Sequence, residues 1–336
     1  MITEIQPIPP VPDELRLAAM EGRLVPFIGA GASQLASCPS WEQFAQRLFD
    51  QLVQRGAINY SQAEQIRARQ LGPRVRLSIA RTIAKQRKID LDYQAAVHPD
   101  RDVSNPNGRR LYGALGRLSK SNVFVTTNYD AWLDEIIEPP PLALTDAAGT
   151  SPSSAPAKRN VIHQIDDFSY DHLLTDNTVI HLHGSLSDPA SMVVTTGDYL
   201  ERYRNDGGAE VGQENKATSF LRSLFKSKTV LFIGYGLDEL EILEYIIMKS
   251  RNEGGTGEAL PKHYILQPYF SHELEMARHM EAYYTEECGV SLLPYLRDER
   301  DFDQLIDVIE YFAREIPISK TMGVQRRIEM EGLLDG

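Results

Sequence analysis

The run Leu24-Val25-Pro26-Phe27-Ile28, which stops abruptly at Gly29-Ala30-Gly31-Ala32-Ser33, constrains this chain more than any other stretch. Five apolar residues in a row read as a short buried strand, and the glycines behind it let the backbone turn tightly and approach a ligand. Ser40-Trp41-Glu42-Gln43 then has the form of a capping box, and Trp41, Phe44, Ala45, Leu48, Phe49 and Leu52 recur at helical spacing. The local order is strand, glycine turn, helix. Free amides at such a turn, with the positive end of a helix behind them, favour a phosphate and make a nucleotide the first candidate. The dinucleotide fingerprint of dehydrogenases is nevertheless absent. Gln34 stands where a third glycine is expected, and Asp50 falls inside the amphipathic helix instead of at the tip of a second strand.

Further strands follow the same pattern. Asn122 to Thr126, Thr178 to His183, Lys228 to Ile233, Tyr264 to Leu266 and Val290 to Leu293 are short apolar runs, and Met192 to Val194 reads as another. Helices are expected over Pro12 to Gly22, through Trp132, Leu133, Ile136 and Ile137, from Thr195 onward, and along Leu240 to Ile247. Asp130 is a natural N-cap for the helix after the second strand. Near-continuous apolar strands alternating with helices predict an α/β fold, a Rossmann-like parallel sheet with helices on both faces. Residues from about 57 to 120 show helical patterns and no strand, a mostly helical insertion after the first strand. Its arginines, Arg67, Arg69, Arg74, Arg76, Arg81 and Arg87, read as a solvated face. Asp100 to Gly108 reads as a loop, and Pro139 to Asn160, rich in Pro, Ser, Ala and Thr, as a mobile one.

The 336 residues suffice for a sizeable core, and the net charge of -12 opposes a broad nucleic-acid or membrane surface. Met1 to Pro12 lacks a signal-peptide pattern and no run is long enough to span a bilayer, so a cytoplasmic protein is expected. Cys38 and Cys288 are the only cysteines, too few and too far apart in sequence for a Cys-x-x-Cys zinc module.

Ligands of such sheets bind beyond the carboxyl ends of the strands. Those ends carry Gly29 to Ser33, Thr127 to Asp130, His183 to Ser185 and Gly234 to Asp238. His183 is either a general base in a crevice or a strand-end histidine bonded to a loop; His181, two residues earlier, reads as a satisfied core histidine or a partner behind the site. Asn128 lies past its strand with the cap position already assigned. Asp238 is a cap or a ribose ligand.

In this order, Gly29-Ala30-Gly31-Ala32-Ser33, Thr126-Thr127-Asn128-Tyr129-Asp130, His181-Leu182-His183-Gly184-Ser185 and Phe232-Ile233-Gly234-Tyr235-Gly236-Leu237-Asp238 resemble the motifs of sirtuin-like domains, and more closely the bacterial branch found in antiphage defence systems. The resemblance spans roughly residues 20 to 300. It implies one sirtuin-like NAD-binding domain over 1–316, followed by a tail over 317–336. It further implies that Gly29, Ala30, Gly31 and Ser33 hold the NAD phosphates and that Asn128 and Asp130 meet the nicotinamide ribose or orient water. His183 is then the catalytic histidine, and Gly234, Gly236 and Asp238 flank the adenosine end. Deacetylase sirtuins carry four zinc-binding cysteines; here no zinc is expected, and acyl-peptide recognition is disfavoured. The implied activity is hydrolysis of the nicotinamide N-glycosidic bond of NAD, as substrate, to nicotinamide and ADP-ribose. An NAD-sensing module without turnover is the alternative from another class, and a protein deacylase a weaker one. A homo-oligomer is expected, with a HerA-type DNA translocase ATPase or another phage-sensing protein as possible partner.

Overall fold

The computed structural model describes residues 2–97, 105–137, 158–203, 215–236 and 262–316. Seven strands form one sheet: β1 (Leu24–Ile28), β2 (Phe124–Thr126), β3 (Asn160–Ile162), β4 (Thr178–His181), β5 (Thr229–Ile233), β6 (His263–Tyr269) and β7 (Val290–Leu296). Their order is β3-β4-β2-β1-β5-β6-β7, and every neighbouring pair is parallel. The chain starts at the centre, builds outward through β2 to β4 and β3, then returns to lay β5 on the other side of β1. The switch point of a doubly wound sheet therefore lies at the carboxyl end of β1.

All five residues of β1 are buried, and alternation along the strand divides them between two cores. Val25 and Phe27 face a cluster with Phe220, Leu224 and Phe225 of helix α9 (Lys216–Ser227) and Ala277 of α10 (Leu274–Tyr283). Leu24 and Ile28 face Leu15, Ala18 and Ala19 of α1 (Asp13–Met20), Ala32 of α2 (Ala30–Leu35), Leu111 of α7 (Pro106–Leu115) and Ile306 and Phe312 of α11 (Gln304–Glu315). Helices thus cover both faces, as the apolar strand pattern requires.

Between β1 and β2 the regular elements among the described residues are all helices: α2, α3 (Trp41–Gln54), α4 (Tyr60–Arg67), α5 (Pro73–Arg87), α6 (Tyr93–Val97) and α7. The Ser40–Gln43 capping box closes in both directions. Phe44, Leu48 and Leu52 of α3 pack with Leu77, Ala80 and Ala84 of α5 in a third core. The arginines here are not uniformly solvated. Arg76 is buried against Glu42, and Arg81 pairs with Asp198 of α8 (Thr196–Tyr203).

Three expectations fail. Met192 to Val194 is not a strand: Met192 and Val194 are buried in the third core, which accounts for their apolar character, while Val193 N donates to His183 O at 2.8 Å. The described residues 127–137 after β2 hold no helix. Residues 131–134 form a turn, and the Arg159 guanidinium donates to the carbonyls of Leu133 (2.8 Å) and Glu135 (2.7 Å), acceptors a helix there would need for itself. Asp130 accordingly caps no helix; one carboxylate oxygen accepts from Trp132 N at 3.2 Å within the turn. Finally, Asn160 begins the edge strand β3, although sequence assigns it to a loop. The tail 317–336, the helix over 240–247 and most of the loops over 100–108 and 139–160 lie outside the described residues.

Candidate functional site

At the switch point the turns after β1 and β5 interlock. Gly29 N donates to Ile233 O (2.9 Å) and Gly31 N to Gly234 O (2.8 Å). A Cβ on Gly29 would stand 2.6 Å from the Gly234 carbonyl oxygen, and one on Gly31 2.9 Å from it. Glycine is needed here because two backbones touch. The amides that sequence reads as free for phosphate are taken, at Gly29 and Gly31, by the neighbouring turn. Ala30 opens α2 behind Gly29 and is half-buried, while Gly236 faces open space. Asp238 lies outside the described residues.

Ser33, on α2, is the hub of a buried polar knot. Its hydroxyl donates to Asp130 (2.5 Å) and accepts from the Asn128 amide (2.7 Å), with the Tyr112 hydroxyl at 3.3 Å. The second Asn128 N–H donates to Gly29 O at 2.9 Å. Ser33, Asn128, Asp130 and Tyr112 are all buried. Behind them His181, fully buried on β4, donates from Nδ1 to the Asn128 carbonyl and meets Asp134 through Nε2, both at 2.8 Å. With Nδ1–H committed to a carbonyl, a neutral ring would turn a lone pair on a carboxylate. Burial opposes a charge on the ring, but the hydrogen bond to Asp134 and its charge outweigh it, so the His181 pKa is raised. His181 is a satisfied histidine that fixes Asn128.

His183 stands apart from this knot. It extends past β4 into the turn at Gly184, where its Nε2 lies 2.9 Å from the Tyr203 hydroxyl and its ring meets Tyr199 and Tyr203 edge-on. The residue is half-buried, yet Nδ1 is itself shielded and has no partner. Burial, with the charges of Arg202 and Arg74 added, pushes its pKa down to about 3. The ring is neutral at physiological pH. Gly184, at φ +82°, packs so closely on Ser191 that a Cβ would meet the Ser191 carbonyl at 2.3 Å.

The structure thus brings Gly29, Gly31, Ser33, Asn128, Asp130 and Gly234 into one contact network and sets His183 at the same sheet edge among a different set of partners. Tyr129 links the two: its hydroxyl donates to Val193 O (2.6 Å), and Val193 N holds His183 O. Sequence reasoning missed Tyr112, Tyr203 and Arg202. The pair Tyr199 and Tyr203, one helical turn apart, was the available signal for the second; nothing in the sequence marks the other two. Cys38 and Cys288 are both buried and form no disulfide, and among the described residues no group of three or more His, Cys, Asp or Glu is placed to hold a metal ion. Among the same residues, no helix is long and apolar enough to cross a membrane.

An all-parallel sheet whose chain reverses beside β1, with glycine turns, a buried Ser-Asn-Asp knot and a neutral histidine at its carboxyl edge, defines a Rossmann-like α/β protein. The sequence profile of the SIR2-like domain matches residues 122–293, just over half of the chain, and the chain belongs to that family. SIR2-like domains bind NAD, and membership implies NAD-dependent enzyme activity in general. The matched span begins at β2; the β1 turn that interlocks with Gly234 precedes it. No curated protein matches the chain.

Proposed function

We propose that this protein is an NAD glycohydrolase that cleaves the bond between nicotinamide and ribose, releasing nicotinamide and ADP-ribose. The observation that carries this reading is His183: a neutral imidazole at the carboxyl edge of the sheet, with Nδ1 unpartnered and Nε2 held by Tyr203. When Nε2–H donates to the Tyr203 oxygen, Nδ1 presents its lone pair as a base. Burial pushes the Tyr203 hydroxyl up, so it keeps its proton and remains a neutral orienting group.

Asn128 is fixed through both amide hydrogens, and no hydrogen bond among the described residues takes its Oδ1. That oxygen is the acceptor for a ribose hydroxyl or the attacking water. Water adds at the ribose anomeric carbon, the carbon–nitrogen bond breaks, and its electron pair leaves with neutral nicotinamide; Nδ1 of His183 receives the proton. General-base action of this kind is worth about 10² to 10⁴ in rate. The glycine turns and Ala30 would hold the dinucleotide, with Ser33 and Asp130 behind them fixing Asn128. Gly234, Gly236 and Asp238 complete the adenosine side. The resemblance of the motifs to the antiphage branch supports assigning the activity to an antiphage effector, and because unrestrained NAD loss is toxic, such an effector needs a gate. Its restraint falls to self-assembly or to a separately encoded partner such as a HerA-type ATPase.

The test is nicotinamide release from NAD by the full chain. His183→Ala should lower it by about 10² to 10⁴, and Asn128→Ala should abolish it while NAD binding persists. Tight NAD binding with no release under any condition would support the sensing module instead, and failure to bind NAD would end both readings.

A further inference from the structure

Arg202, on α8, is only 8% exposed, yet among the described residues it has no ion-pair partner. One terminal nitrogen donates to the Ser191 carbonyl at 2.9 Å, the other is buried without a partner, and the guanidinium lies 5.6 Å from the centre of the Phe168 ring. Its nearest acid in sequence, Glu201, is exposed, and the Asp198 carboxylate is occupied by Val194 N, Thr195 N and Arg81. The charges of Asp198 and Glu201 act on it only from a distance, and a buried guanidinium with no ion pair and one terminal nitrogen unbonded is costly unless something else completes it. Its place is specific. The Ser191 carbonyl that anchors it is the one Gly184 must accommodate, so Arg202 is built into the turn behind His183. Arg74 of α5 lies 4.1 Å over Tyr199, and Tyr199 touches the His183 ring. Two guanidinium groups and an aromatic pair therefore converge on one histidine.

We propose that Arg202, with Arg74, forms an oxyanion subsite beside His183 that takes a phosphate group. A planar guanidinium with a free nitrogen matches two phosphate oxygens, and such charge-assisted bonds are the strong class of hydrogen bond. The anion also does chemical work. In its absence burial first, and then the two cations, suppress proton uptake by His183, and a base so weak is poorly matched to neutral pH. An oxyanion between them cancels the cations' share of that suppression and adds a negative charge that favours the imidazolium, so that His183 becomes a stronger base when the phosphate is in place. This inference rests on the assignment of His183 as the base, but the subsite itself does not.

The experiment is calorimetric titration of the full chain with inorganic phosphate and, separately, with ADP-ribose. It uses wild type, Arg202→Lys, Arg202→Met and the exposed Arg74→Gln, each checked for folding by circular dichroism. Expected are at least a tenfold loss of affinity in Arg202→Met, a smaller loss in the other two, and an upward shift of the His183 imidazole titration by NMR on ligand addition. Competition between phosphate and ADP-ribose would place the nucleotide's own phosphate in the subsite; phosphate binding that ADP-ribose leaves untouched would assign it to a free anion. Unchanged affinity for both ligands in folded Arg202→Lys and Arg74→Gln would overturn the subsite, even if nicotinamide were released. Arg202-dependent phosphate binding without any NAD turnover would keep the subsite and remove the hydrolase assignment.

Discussion

His181 and His183 sit two residues apart in one segment and have opposite environments. Around His181 the polar groups are saturated: both ring nitrogens, both Asn128 amide hydrogens and the Ser33 hydroxyl have protein partners. Around His183 they are not, since Nδ1 and one Arg202 nitrogen are buried and unpartnered. A saturated buried network fixes geometry, because every displacement breaks several bonds at once. An unsaturated one in a native fold calls for an explanation, such as a catalytic role or a bound water or ion. The Ser33 knot is the frame, with the Asn128 Oδ1 left open, and the proposed proton transfer falls to the His183 turn.

The most damaging way to break this contrast is Gly184→Ala, which puts a Cβ against the Ser191 backbone at positive φ and disturbs the His183 and Arg202 supports together. A loss on the order of 4 kcal/mol is expected in urea unfolding. Ser33→Ala tests the frame. It leaves a carboxylate oxygen of Asp130 and one N–H of Asn128 unpaired in the interior, costing about 2 kcal/mol. A neutral result there would show that the knot is not saturated in solution.

The pH dependence separates the two histidines by sign. His181 has a raised folded pKa, so its contribution is complete below the ordinary value of 6.5 and is lost as pH rises through the folded value. His183 is depressed to about 3, so between 6.5 and about 3 the unfolded chain binds a proton that the folded chain does not, and stability falls as pH falls. Urea unfolding followed from about pH 3 to above the raised His181 value should lose its alkaline decline in Asp134→Asn and part of its acid decline in His183→Gln. The smallest effect sharpens the comparison. Arg74→Gln removes an exposed cation and should change stability by less than about 0.5 kcal/mol while still weakening phosphate binding.

Much of the frame could be read in advance. Apolar strands, glycine turns and a capping box are local signals, and they located six of the seven strands, the helical character of the insertion and the sheet edge that gathers the motifs. The failures share a cause. The segment after β2 has helical spacing, but Arg159, distant in sequence, takes its carbonyls; Met192 and Val194 are apolar because they lie under α3 and α5, not because they pair in a sheet. The exchange of hydrogen bonds between the β1 and β5 turns was equally out of reach, since it joins residues some two hundred positions apart.

By itself the sequence determined the α/β alternation, the central strand and which residue types meet at its carboxyl edge, because these follow from the periodicity of burial and from the backbone freedom of glycine. Only the tertiary structure decided that Asn128, Asp130 and Ser33 form one closed network, that His181 serves it, and that His183 faces Tyr203 and two arginines instead. Those outcomes depend on which long-range partners reach each polar atom and which charges remain uncompensated once water is excluded, and neither is encoded in any local pattern.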